Sequence, residues 1–160
     1  MTGTQTDGRS VVHDSFTIER TYPASPERVF AAWASQETKA QWFGGDEEIA
    51  STGAHTLDFR VGGREHLDGT ITDGTTFVYD ALYQDIVDNE RIVTSYDMHI
   101  NDQRISVSVM TVEITGVPGG AQLVMTEQGA FLDGLDTNAQ RREGTEEFLD
   151  QLGKYLGSQA

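Results

Sequence analysis

Residues 75–100 read Thr-Thr-Phe-Val-Tyr-Asp-Ala-Leu-Tyr-Gln-Asp-Ile-Val-Asp-Asn-Glu-Arg-Ile-Val-Thr-Ser-Tyr-Asp-Met-His-Ile. Apolar side chains alternate with polar ones in 75–87 and again in 91–100, which is typical of β-strands with one buried face. Asp88-Asn89-Glu90 between them favours a turn. The stretch therefore predicts an antiparallel hairpin. The positions that share its apolar face are Phe77, Tyr79, Ala81 and Tyr83 on the first strand and Ile92, Thr94, Tyr96, Met98 and Ile100 on the second.

Similar units flank this hairpin on both sides. Before it, residues 55–61 alternate, Gly62-Gly63 is a candidate two-residue turn, and Asp73-Gly74 is a candidate type I′ turn. After it, the turn residues are Asn101-Asp102 and Pro118-Gly119-Gly120, which precede strands at 104–115 and 121–128. Consecutive hairpins form a meander, so we expect one antiparallel sheet of six or seven strands.

The pairing around Gly62-Gly63 leaves two alternatives. A two-residue turn there places His66 opposite Phe59 and turns Leu67 and Ile71 outward. A bulge would reverse both faces, because a shift of one residue moves every side chain to the other side. The face that His66 occupies therefore stays open at this stage.

Helices are predicted near the start and at the end of the chain. Residues 15–22 alternate as a strand, and Ser25-Pro26-Glu27 then favours a helix start; Ser35 starts a second short helix. Thr137 and Gln140 form a capping box. The apolar residues that follow to Leu156 recur with helical spacing, so this long helix should lie across the concave face of the sheet.

Composition narrows the function. The 160 residues include 26 acidic and 11 basic side chains, a formal charge of −15, so nucleic acid and membrane surfaces are poor partners. Residues 1–14 are polar and are predicted to be a flexible leader before one domain at 15–160. They lack the apolar core of a signal peptide, so we expect a cytoplasmic location.

Most catalytic and cofactor chemistry lacks support. The chain has no cysteine and no glycine-rich phosphate loop, and we expect no cofactor. The four histidines (His13, His55, His66 and His99) show no ligand spacing, so they are expected on the surface or on a strand face, with no metal site. Asp85, Arg60 and Tyr83 could form a polar cluster in a cavity. The preferred alternative is an end-of-strand role for Asp85 and a cross-strand pair between Arg60 and Glu65.

The aromatic and methionine side chains on the inner face indicate either a filled core or an apolar cavity. The tyrosines favour a cavity. Each buried hydroxyl needs a polar partner, and a cavity that holds some water supplies one. We predict that one internal space is lined by Trp33, Phe59, Tyr79, Tyr83, Tyr96, Met98, Met110, Met125, Thr145, Phe148 and Leu152.

The order of motifs resembles the family of proteins homologous to the C-terminal domain of the Hsp90 ATPase activator, within the START-like, Bet v 1-like superfamily. The motifs are Phe16-Thr-Ile-Glu-Arg-Thr-Tyr-Pro-Ala-Ser-Pro-Glu-Arg-Val-Phe-Ala-Ala-Trp33, Gln41-Trp-Phe43, Phe59-Arg-Val-Gly-Gly63, Tyr83-Gln-Asp-Ile86, Asn89-Glu-Arg-Ile-Val93, Thr111-Val-Glu113 and Leu123-Val-Met-Thr126. The resemblance covers roughly residues 16–156 and implies an α+β helix-grip fold. That fold is a curved antiparallel sheet around a long C-terminal helix, with two short helices after the first strand.

The resemblance also implies an apolar cavity between helix and sheet. Many relatives have Gly-Trp in the last helix where this chain has Gly144-Thr145, so the missing indole should widen the cavity mouth or change its ligand. Fold alone does not separate a carrier from an enzyme. Binding of an apolar small molecule of lipid, polyketide or aromatic type is the leading hypothesis. An enzyme acting on such a molecule is second, and a module that docks on Hsp90 is third.

Overall fold

The computed structural model describes residues 8–44 and 49–158. Seven strands and three helices occur there, and the seven strands form one antiparallel sheet in the order β1-β7-β6-β5-β4-β3-β2. The elements are β1 (Val11–Tyr22), α1 (Pro26–Ala31), α2 (Gln36–Lys39), β2 (Ile49–Leu57), β3 (Arg64–Ile71), β4 (Thr76–Val87), β5 (Arg91–Ile100), β6 (Gln103–Val117), β7 (Gly120–Leu132) and α3 (Asn138–Ser158). Strands β2 to β7 are the predicted meander, and β1 pairs with β7.

The sheet curves around α3, so the predicted α+β helix-grip architecture is confirmed. Register shifts between Tyr83 and Asp85 in β4 and between Met98 and His99 in β5 are the kind of irregularity that bends a sheet. Leu149 and Leu152 of α3 are completely buried against the concave face, and Tyr22 of β1 donates a hydrogen bond to the carbonyl of Leu149 at 2.8 Å. None of the helices among the described residues combines the length and apolar character needed to cross a bilayer.

Local sequence signals set the helix starts. Ser25 and Ser35 are the N-caps of α1 and α2, and the hydroxyl of each accepts a hydrogen bond from a backbone N–H at 3.2 Å. Thr137 accepts one from the amide of Gln140, also at 3.2 Å. These bonds satisfy N–H groups that have no partner inside the helix, which fixes where each helix begins.

The central hairpin has the predicted arrangement. Tyr79 of β4 pairs with Met98 of β5, and Tyr83 pairs with Thr94, so the two apolar sets share the concave face. Asn101 and Asp102 both have positive φ, as a type I′ turn requires. At Asp73-Gly74 the type I′ prediction is wrong, because Gly74 is the residue there that has positive φ.

The turn between β2 and β3 also differs from the two-residue prediction. Leu57 pairs with Glu65, and residues 58–63 form a longer loop in which Gly62 N–H donates to the carbonyl of Tyr83 at 2.8 Å. This register turns Leu67 inward and His66 outward. The ring of His66 lies between Asp68 and Asp80, with a 2.6 Å contact to each carboxylate.

The first strand begins earlier than predicted. Val11 to Asp14 belong to β1 and pair with residues 129–132 of β7, because the long final strand gives them backbone partners. The predicted flexible leader 1–14 is therefore wrong for residues 11–14. Its residues 1–7 lie outside the described part of the chain.

Candidate functional site

A cavity of about 390 Å³ lies between the concave face of the sheet and α3. Its sheet side is formed by β3, β4, β5 and β6, and its opposite side by the first half of α3 together with Phe43 and Gly44. Most of the wall is apolar. The polar residues in the wall besides the tyrosines and Thr145 are Asp136, Gln140 and Arg141.

Six of the predicted site residues lie in this wall. They are Tyr79, Tyr96, Met98, Met110, Thr145 and Phe148. Strand parity brings the first four together, and helical spacing adds the last two. Thr145 is 2% exposed, and its hydroxyl donates to the carbonyl of Arg141 at 2.8 Å, which leaves its methyl group to the apolar surroundings. Their role in binding a ligand stays a prediction.

The other five predicted residues pack in the core outside this wall. Trp33 lies edge-on to Trp42, with ring centroids 4.8 Å apart. Phe59 packs between Phe30 and Tyr83, with ring centroids 5.6 and 5.1 Å apart, and Tyr83 is itself one of the five. The remaining two are the completely buried Met125 and Leu152. These residues belong to or pack against the same hydrophobic core as the cavity residues, but they lie outside the cavity wall.

A buried ionic cluster lies beside the cavity. The Nζ atom of Lys39 is 2.7 Å from Oε1 of Glu65. Tyr83 donates to the same oxygen at 2.8 Å, and Nε2 of His55 lies 2.9 Å from Oε2. Lys39 also lies over the ring of Phe43, 4.4 Å from its centroid. Each oxygen of Glu65 therefore has a polar partner, as a buried carboxylate requires.

The surroundings of Glu65 keep it ionised. Burial by itself raises the pKa of a carboxyl group, because the charged form loses its hydration. Here the positive charge of Lys39 and the hydrogen bonds from His55, Lys39 and Tyr83 outweigh burial, and the pKa of Glu65 falls from 4.5 to about 2. Glu65 therefore carries a negative charge at neutral pH.

A second network surrounds Arg141 in the cavity wall. Its guanidinium donates to Tyr96 at 2.9 Å and to Glu127 at 3.1 Å. The same group donates to Ser106 at 2.6 Å and to Asp136 at 2.9 Å. Arg141 therefore joins α3 to strands β5, β6 and β7, and two carboxylates already share its positive charge.

The pKa of Glu127 is shifted in the direction opposite to that of Glu65. Tyr96 donates to its Oε1 at 2.7 Å, yet burial raises the pKa of Glu127 above its ordinary value and Arg141 only partly opposes this. Arg141 is paired with both Glu127 and Asp136, whereas Lys39 is paired with Glu65. The two buried glutamates thus have opposite shifts.

The structure does not bring Asp85, Arg60 and Tyr83 together as a polar cluster, which is the less favoured of the two alternatives. Asp85 pairs with Arg91 at 2.6 Å and Arg60 pairs with Asp58 at 2.8 Å, both near the surface. The preferred alternative agrees for Asp85, which lies near the end of β4, but its pair of Arg60 with Glu65 is wrong, because Glu65 is buried with Lys39. Residues 8–44 and 49–158 contain no group of three or more His, Cys, Asp or Glu side chains suited to a metal ion.

Sequence reasoning predicted Tyr83 and Tyr96 as site residues but missed the charged residues of both networks. Their positions carried a signal: Glu127 follows Leu123 and Met125 at alternate positions of β7, and Glu65 precedes Leu67 in the same way. Arg141 lies four residues before Thr145 on the helix. Polar residues on an apolar face of a strand or helix indicate buried pairs, and the partners become visible only when the fold is known.

Comparisons with known proteins agree with this fold. The sequence model of the family described as activator of Hsp90 ATPase homolog 1-like protein matches residues 23–157. A solved structure from Rhizobium leguminosarum is 44% identical, with 94% of this chain and 98% of that chain covered and a TM-score of 0.87. One from Rhizobium loti is 46% identical, with 91% and 99% covered and a TM-score of 0.83.

A more distant structure supports the fold alone. The AHSA1-like protein from Aeromonas hydrophila is 20% identical, with 91% of this chain and 93% of that chain covered and a TM-score of 0.68. No curated protein matches the sequence. The family match spans most of the chain and the solved relatives share its whole architecture, so this chain belongs to the activator of Hsp90 ATPase homolog 1-like family.

Proposed function

We propose that this protein binds an apolar small molecule in the cavity between the sheet and α3. The observation that carries the proposal is the cavity itself, about 390 Å³ with a largely apolar wall of aromatic, methionine and aliphatic side chains. Apolar surface that leaves water contributes about 25 cal/mol per Å², so contact with this wall is the main source of affinity. A cavity of this size accommodates a molecule of a few fused rings or a short branched chain.

The wall suits ligands of varied shape. Met98 and Met110 are unbranched and polarisable, and they adapt to irregular surfaces. Phe77 and Phe148 offer flat faces to an aromatic or unsaturated molecule. These features favour a lipid, polyketide or aromatic ligand over a sugar or a nucleotide, which need many polar contacts.

Titration with N-phenyl-1-naphthylamine, an uncharged fluorescent probe, tests the proposal. Thr145→Trp places an indole in the wall and should lower the affinity for this probe by tenfold or more, about 1.4 kcal/mol. Lys154→Trp adds the same side chain at an exposed position of the same helix and should bind like the wild type. Equal affinity in all three proteins, or no binding by the folded wild type, would contradict the proposal.

An enzyme acting on the same class of molecule is the second candidate. The network of Arg141, Tyr96 and Glu127 favours it, because a positive charge and a phenol in the wall lie in hydrogen-bond contact with a buried carboxyl whose pKa is raised. Conversion of a bound polyketide or ester, lost in Glu127→Gln while probe affinity persists, would establish this candidate. Docking on Hsp90 is supported by the description of the family alone.

A further inference from the structure

Three tyrosines on the concave face differ in whether the hydroxyl group has a hydrogen-bond partner. Tyr83 donates its hydroxyl hydrogen to Glu65 at 2.8 Å, and Tyr96 donates to Glu127 at 2.7 Å. The hydroxyl of Tyr79 is buried, and none of the described residues forms a hydrogen bond with it. Tyr79 also lies in the cavity wall, whereas Tyr83 lies outside it.

An unpaired buried hydroxyl destabilises a folded protein, and phenylalanine at the same position would avoid that cost. Packing alone therefore does not account for tyrosine at position 79. In the part of the chain that the structure describes, two other buried side-chain atoms are unpaired, Nε1 of Trp33 and Nδ1 of His99, but neither side chain lines the cavity. Among the described residues of the wall, the oxygen of Tyr79 is thus the side-chain polar atom that is both buried and unpaired.

The charges around Tyr79 determine which kind of ligand group its hydroxyl can bind. Burial, together with the negative charges of Glu65 and Glu127, holds the pKa of Tyr79 well above its ordinary value, so the hydroxyl keeps its proton and donates. Arg141, the cation in the wall, is already paired with Glu127 and Asp136. An anionic ligand group would lie near these carboxylates without a cation of its own, whereas a neutral oxygen meets no such repulsion.

We infer that the cavity selects an apolar molecule bearing a neutral hydrogen-bond-accepting oxygen, such as a ketone, and that Tyr79 is the donor that recognises it. The inference rests on the proposed function and names the ligand class. Neighbouring side chains cover the hydroxyl, and the rings of Phe43 and Tyr96 lie 5.3 and 5.0 Å from the Tyr79 ring between centroids. Of these two neighbours Phe43 is half-buried and Tyr96 is buried, so a ligand would reach the hydroxyl by displacing Phe43.

Three naphthalene probes separate apolar contact from oxygen recognition. They are naphthalene, 2-acetylnaphthalene, which adds a ketone, and 2-naphthoate, which adds a carboxylate. Wild type should bind the ketone about tenfold more tightly than naphthalene, because the ketone supplies the missing acceptor. It should bind the carboxylate more weakly than the ketone. Tyr79→Phe should lose the preference for the ketone and bind naphthalene as before.

Tyr83→Phe is the matched control, because it removes a hydroxyl outside the wall and should keep the preference for the ketone. Its melting temperature should fall, since Glu65 loses a hydrogen bond, whereas that of Tyr79→Phe should not. An unchanged ketone preference in Tyr79→Phe would overturn the role of Tyr79, and tightest binding of 2-naphthoate would overturn the neutral ligand class. If folded wild type binds none of the probes, the proposed function fails together with this inference.

Discussion

The Nζ atom of Lys39 and the Oε1 atom of Glu65 lie 2.7 Å apart, and their side chains are 2% and 0% exposed. The contact joins α2 to β3 beside the cavity, across 26 positions of the chain. Removing two charges from water is costly, and the cost is offset only when both remain paired. The pair therefore makes the folded state sensitive to pH and to the loss of either partner.

Acid should destabilise the protein through Glu65. Its pKa is about 2 in the folded protein and 4.5 in the unfolded chain, so the carboxylate stabilises the fold above pH 4.5. This contribution, about 3 kcal/mol, is lost as the pH falls from 4.5 to 2. Urea unfolding of wild type and Glu65→Gln across this range isolates the effect, because the surface carboxylates titrate in both proteins. Parallel pH profiles for the two proteins would contradict the assignment.

Removing one charge of the Lys39–Glu65 pair should destabilise the protein more than removing both charges. Glu65→Gln leaves the ammonium of Lys39 buried without a carboxylate and should lower the free energy of unfolding at pH 7 by about 3–5 kcal/mol. Lys39→Met combined with Glu65→Gln removes both charges and should recover most of that loss. The comparison uses chemical denaturation of both variants and wild type. A double variant no more stable than Glu65→Gln would show that the charges are not coupled.

The contribution of Glu127 to stability should change with pH in the direction opposite to that of Glu65. Its folded pKa is raised above the unfolded value, so its contribution to stability is fully present below the unfolded pKa and is lost as the pH rises through the folded pKa. Glutamine resembles the protonated form, and Asp136 still pairs with Arg141. Glu127→Gln should therefore cost less than Glu65→Gln at pH 7, measured by the same unfolding assay. An equal or larger cost would mean that Arg141 depends on Glu127 as Lys39 depends on Glu65.

Two glycines of α3 should differ in their tolerance of alanine. A Cβ atom at Gly144 would meet nothing within 4 Å, whereas one at Gly153 would lie 3.2 Å from Cε1 of Tyr22. Gly144→Ala should stabilise the protein by about 1 kcal/mol through helix propensity. Gly153→Ala should gain less or lose stability, because the hydroxyl of Tyr22 is held by the carbonyl of Leu149. Thermal unfolding compares the two, and equal melting temperatures would contradict this packing.

The sequence predicted those parts of the fold that depend on local pattern. Alternation placed Tyr79 and Met98 in apolar sets that share one face, and the structure pairs them directly. The same reasoning gave the wrong turn before β3, because Gly62-Gly63 belongs to a longer loop held by the carbonyl of Tyr83. The face of His66, and with it that of Glu65, depended on this loop.

The site was less predictable than the fold. Met98 and Met125 both lie on the inner face, yet Met98 lines the cavity and Met125 is completely buried outside its wall. That difference depends on where α3 and Phe43 cover the sheet, which strand periodicity does not contain. The partners of Arg141 come from strands far apart in the chain, and side-chain type alone does not identify them.

The methionine methyl groups report where a ligand binds. With ¹³C-labelled methionine methyls, an N-phenyl-1-naphthylamine titration should shift the NMR signals of Met98 and Met110, which line the cavity. The signal of Met125, completely buried outside the wall, should move much less. Probe binding that shifts Met125 and leaves Met98 and Met110 unchanged would contradict the account, since the ligand would then lie elsewhere than between the sheet and α3.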